Sequence, residues 1–233
     1  MSLREKTKCL VRPFISVHAY LRKEVELLRH IERCYRAAKT RSAAETRSTA
    51  IHEAGHAVVL IALGLVFSAV SIIPDVRDGT LGRVYLAQHD RTADLHALPR
   101  EEVNLRYSMV YYAGAEAVRQ VLPTHPNPDA GASTDNRLAA NLIRYGIGGD
   151  AKSVDFLVSL AKRRCALLVD HYKPEIQALA GALEAELILS AKAARKVFMR
   201  SLTTRAGRLL SFASEDEVFR AFLRRLNLPT KAN

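Results

Sequence analysis

At 233 residues, 48% of them hydrophobic, the chain can bury one sizeable core, alone or with an appendage. Its formal net charge of +11 invites an acidic partner. The basic residues gather in Arg22 to Arg41 and Arg195 to Arg225, between glutamates and apolar positions and without a nucleic-acid-binding signature, so no specific nucleic-acid recognition is expected. Three scattered cysteines, Cys9, Cys34 and Cys165, argue against a disulfide framework and against a cysteine-based zinc site; with no secretory signal, they fit a cytoplasmic setting.

Scarce aromatics and abundant Ala and Leu predict a mainly α fold. Phe14 to Lys39 reads as an amphipathic helix, with Val17, Leu21, Val25, Leu28, Ile31 and Tyr35 at three- and four-residue steps. Thr40 to Arg47 is a polar connection, and Ser48 or Thr49 is placed to cap an apolar helix that Gly64 ends. The uncharged run Ala57 to Ile73 is shorter than the ~20 residues of a membrane span, and its second half alternates like a strand. Strands over Ala69 to Ile73 and Gly82 to Ala87, joined by Pro74 to Gly79, predict a small β-hairpin or sheet. Arg91 to Leu98 reads as loop. Pro99 to Leu122 opens with a proline and two glutamates, as a helix N-terminus should. Ser133 and Thr134 cap a helix to about Tyr145, and helices are expected over Ser153 to Tyr172, Pro174 to Leu187, Ala191 to Leu202 and Glu215 to Leu226. Gly146 to Ser153 nearly spells a phosphate-binding loop, but Ala151 stands where glycine is needed and a helix precedes it, so nucleotide binding is not expected.

The informative segment is His52-Glu53-Ala54-Gly55-His56. On a helix, residues four apart share a face, about 5–6 Å apart at Cβ, so both imidazoles can reach one Zn²⁺. Glu53 is offset, aimed at a water on the metal, where a carboxylate acts as general base of a metal-assisted hydrolysis. Polar groups on so apolar a helix need partners, and Gly55 lets another element come close. A catalytic zinc usually has three protein ligands. Glu116, His125, Asp129 and Asp135 are the downstream candidates, and spacing does not choose among them.

Three segments in order, Thr49 to Val58 around the pentad, Val70-Ser71-Ile72-Ile73-Pro74, and Gly131-Ala132-Ser133-Thr134-Asp135, resemble the peptidase domain of FtsH-type zinc metalloproteases. The likeness extends over roughly Arg47 to Phe198, with Leu167, Ile176, Leu179, Ala180, Leu183 and Leu187 similar to the family's helical tail. It implies a helical zinc-metallopeptidase fold in which Asp135 joins His52 and His56 on the metal and Glu53 is catalytic. The family places a glutamate near the zinc where this chain has Val118, so either Glu116 takes that supporting role from a different angle or the support is missing.

The resemblance implies a zinc endopeptidase acting on peptides or unfolded proteins, with residues 46–230 as the peptidase domain. Family members carry an ATPase module ahead of it, so this chain is expected to stand free of its ATPase or to work with a separate one, with the basic helix in residues 1–45 as a docking element. Homo-oligomers are a family trait carried by that module in part. The strand Leu81 to Leu86 is a candidate edge for an extended peptide. The competing expectation is a non-catalytic zinc-binding adaptor with a peptidase fold.

Overall fold

The computed structural model describes residues 25–86, 99–146 and 150–206. Residues 25–40 belong to helix α1, followed by α2 (Ala43–Ala62), β1 (Phe67–Ser71), β2 (Arg83–Leu86), α3 (Arg100–Val121), α4 (Ser133–Gly146), α5 (Ala151–His171), α6 (Lys173–Glu186), β3 (Ile188–Ser190) and α7 (Ala191–Ala206). The fold is mainly helical, with one small antiparallel sheet beside α2. The early part of the expected N-terminal helix, Ala87, the loop Arg91 to Leu98, the glycines 148–149 and the helix Glu215 to Leu226 lie outside the described residues.

Helix α2 starts earlier than its sequence suggests. Ser42 and Glu45 form a reciprocal capping box: the Ser42 hydroxyl accepts from the Glu45 amide and the Glu45 carboxylate accepts from the Ser42 amide. Ser48 and Thr49 therefore sit within the helix, where the Thr49 hydroxyl bonds back to the Glu45 carbonyl, and the polar connection shrinks to Arg41 and Ser42. The C-terminus ends as expected. Gly64 adopts φ +70°, and the Leu65 amide donates to the Leu60 carbonyl while the Gly64 amide donates to that of Ile61, the pairing of a Schellman motif.

From Thr49 to Ala62 every residue but His52 is buried, and so apolar a helix belongs in the centre. Helices α3 and α6 pack most extensively against α2, while α4 and α5 lean on α3. Ile51, Leu60 and Met109, like Leu168, Ile176 and Leu183 further along, are fully buried in this core; each such side chain contributes about 1.5–3 kcal/mol relative to exposure. Pro174 falls in the first turn of α6, where its missing amide costs no hydrogen bond, so it starts that helix.

The sheet has the order β2-β1-β3, with Val70 of β1 opposite Val84 on one side and Leu189 on the other. Strand β3 was not expected. It is three residues long, too short to show alternation, and follows Leu187, whose left-handed φ of 63° closes α6 and turns the chain onto β1. The β1–β2 turn uses Asp75 and Thr80 as a bridge pair and Gly79 at φ +73°. Arg41 ties it to the helices by donating to the Ile72 carbonyl at 2.9 Å and the Leu81 carbonyl at 2.7 Å. Among the described residues, no helix is long and apolar enough to cross a membrane.

Candidate metal centre

Helix α2 delivers His52 and His56 to one side, and the first turn of α4 delivers Asp135. The two histidine Nε2 atoms lie 3.0 Å apart, and Asp135 Oδ2 is 3.3 Å from each. Ligands at zinc bond lengths of about 2.0–2.2 Å and tetrahedral angles stand roughly 3.3–3.5 Å from one another. The three donor atoms thus already have the mutual spacing of one face of a zinc tetrahedron.

The hydrogen-bonding pattern frees the right nitrogen. His56 Nδ1 lies 2.7 Å from the Val110 carbonyl, which only accepts, so Nδ1 carries the proton and Nε2 presents its lone pair to the cluster. Metal-ligating histidines are oriented in this way by a partner on the far nitrogen.

The electrostatics favour a cation at the same point. Burial pushes the Asp135 carboxyl up, but hydrogen bonds from His52 and His56, and their charges, outweigh it and hold the group well below the usual carboxylate range. Burial likewise disfavours a charged His56, yet the hydrogen bond and charge of Asp135, with the charge of Glu53, raise it to about 9. A divalent ion bound by these donors takes the place of that proton.

Two glycines set the walls. A Cβ on Gly114 of α3 would stand 2.4 Å from His52 Nε2, 2.6 Å from His52 Cε1 and 2.5 Å from His56 Nε2, so both imidazoles can sit against α3 only because residue 114 lacks a side chain. Gly55 makes that approach feasible. A Cβ there would come within 2.6 Å of the Ala113 carbonyl oxygen and the Ala117 Cβ, so α3 seats directly on the motif helix.

Glu53 is 6% exposed and turns toward the sheet. A Cβ on Gly82, just before β2, would meet Glu53 Cγ at 2.7 Å and Oε1 at 2.9 Å. Burial is the main influence on its carboxyl and pushes it up, against the charges of His56 and His52.

No protein-family model matches the chain, and no curated protein does either. The geometry supports a helical domain with a His–His–Asp cluster able to coordinate a divalent metal such as Zn²⁺.

The other candidate ligands are engaged elsewhere. Glu116 hydrogen-bonds Arg119 and Gln120, Asp129 also accepts from Arg119, and His125 Nδ1 accepts from the Asn127 amide. None of them joins the donor cluster. Beside the site, a cavity of about 270 Å³ opens between α3 and α4, lined by Tyr111, Leu138, Asn141 and Tyr145 among others. Tyr111 links the two regions: burial first, then the charge of Asp135, pushes its phenol up.

Sequence reasoning missed Gly114, Gly82 and the Val110 carbonyl. Isolated glycine inside a helical pattern is the signal that was available for Gly114, since it weakens the helix unless something needs the space. A backbone carbonyl gives no sequence signal at all.

Proposed function

We propose that the chain is a zinc-dependent endopeptidase of the FtsH type. One observation carries the reading: two imidazole nitrogens and a carboxylate oxygen converge at 3.0–3.3 Å against Gly114, with a buried glutamate beside them. His52, His56 and Asp135 would hold the ion, and the remaining position is for water or substrate. A bound Zn²⁺ supplies Lewis acidity and lowers the pKa of water toward ~7.

The chain's own residues do the rest. Glu53 takes the proton of the attacking water and returns it to the leaving amine. Its burial keeps bulk water from competing for that proton. Val110 locks the His56 ring, and Gly82 closes over the Glu53 side chain, so the base has little freedom to swing away. Strand β2 has β1 on one side and, among the described residues, no strand on the other. An extended peptide adding to that edge would begin next to Gly82 and hence next to Glu53. Substrates are then peptides or unfolded segments.

The test is hydrolysis of a fluorescently labelled unfolded protein by a preparation of known metal content. Cleavage is expected to stop with a chelator and return with zinc. Zinc bound in full with no cleavage of any unfolded substrate, with or without candidate ATPases, would identify an adaptor instead.

A further inference from the structure

We propose a second metal site, built from His30, Cys34 and Asp75, that joins helix α1 to the β1–β2 turn. It is independent of the peptidase reading. His30 and Cys34 are four residues apart on α1 and share a face. Asp75 opens the turn between the strands. One donor atom from each residue lies within 4.8 Å of the other two.

The distances suit a thiophilic ion. His30 Nε2 is 3.2 Å from Asp75 Oδ1, and Cys34 Sγ is 3.6 Å from the same nitrogen. With Zn–S near 2.3 Å and Zn–N near 2.0–2.1 Å, a tetrahedral site separates N and O by roughly 3.3 Å and N and S by roughly 3.5 Å. A thiol–imidazole–carboxylate relay fits less well. It would place sulfur and carboxylate in line with opposite ring nitrogens. Here Nε2 is nearest to both, and Sγ, 3.8 Å from Nδ1, is in line with neither nitrogen. The imidazole χ2 torsion is soft, so a turn of the ring directs Nε2 into the cluster.

The way α1 packs is the second argument. The helix carries an apolar stripe, yet Val25, Leu28 and Ile31 are 44%, 64% and 41% exposed, while His30 and Cys34 are 8% and 7% exposed. Burying apolar surface is the usual reason for a helix to choose a face. This one turns a histidine and a cysteine inward, with Ala38 one turn further on, and sets the first two against an aspartate. A metal ion accounts for that preference, because it satisfies two buried donors together with the partly exposed Asp75 carboxylate. Binding releases the Cys34 thiol proton and leaves a thiolate on the ion.

The site would act as a staple. Asp75 lies in the turn that leads to Leu81 and Gly82, the segment packed on Glu53. Metal at His30–Cys34–Asp75 would therefore fix α1 and the hairpin together beside the other centre without touching its ligands.

The test is native mass spectrometry of the full-length chain loaded with zinc, alongside absorption spectra of the cobalt-loaded chain. Wild type is expected to hold two ions, and Cys34→Ala and His52→Ala one each. A thiolate-to-cobalt charge-transfer band is expected in wild type and in His52→Ala and not in Cys34→Ala. Asp75→Asn, at a partly exposed turn, is a second variant expected to keep only one ion. Wild type with a single ion and no thiolate band would overturn the proposal, as would Cys34→Ala keeping either the band or both ions.

Discussion

Glu53→Gln is expected to leave zinc bound and peptide hydrolysis reduced by about 10²–10⁴-fold, the usual contribution of a positioned general base. The substitution keeps the shape of the side chain and its fit beneath Gly82, where Cγ and Oε1 leave no room for a Cβ. It removes only the ability to take a proton. The donor atoms of His52, His56 and Asp135 are unchanged, so metal content should equal that of wild type. A Gln variant that cleaves at the wild-type rate would remove Glu53 from the mechanism. One that loses zinc as well would mean that Glu53 shapes the metal site, contrary to the role assigned here.

Gly114→Ala is expected to abolish zinc binding at the His–His–Asp site while the chain stays folded. The added methyl would stand 2.4–2.5 Å from both Nε2 atoms, close to where an ion at about 2.0–2.1 Å from them must sit. The atoms it meets belong to imidazole rings rather than backbone, so the clash falls on the metal ligands, at the cost of the His56–Val110 hydrogen bond where that ring must shift. Alanine in a helix interior is also favoured over glycine by about 1 kcal/mol. Zinc affinity should fall by more than the ~10–100-fold that loss of an outer-shell partner costs. Competition with a chromophoric chelator measures that fall, and urea unfolding checks the fold. Asp135→Ala should weaken zinc too, by the different route of a lost ligand. Wild-type affinity in Gly114→Ala would show that the ion, if bound, lies elsewhere.

His52, Glu53 and His56 were legible because their relation is set by helix periodicity alone. Asp135 was not legible from spacing, since 79 positions separate it from His56 and only the resemblance to a protease family singled it out. The structure brings it to both histidines. The walls of the site were illegible because they depend on how α3 and the hairpin pack on α2, which no local pattern encodes. The start of α2 lies six or seven residues before the Ser48 or Thr49 cap that the sequence suggests, because the capping box at Ser42 and Glu45 satisfies two amides where a lone Ser or Thr cap satisfies one. In α1 the apolar stripe was readable, and the face the helix buries is a different one.

The proposed function rests on one ion held by His52, His56 and Asp135 together. The most direct test is anomalous diffraction at the zinc absorption edge from crystals of the zinc-loaded chain. The result expected is a peak about 2.0–2.2 Å from His52 Nε2, His56 Nε2 and an Asp135 carboxylate oxygen. A fully loaded crystal with no peak between those three atoms would contradict the account.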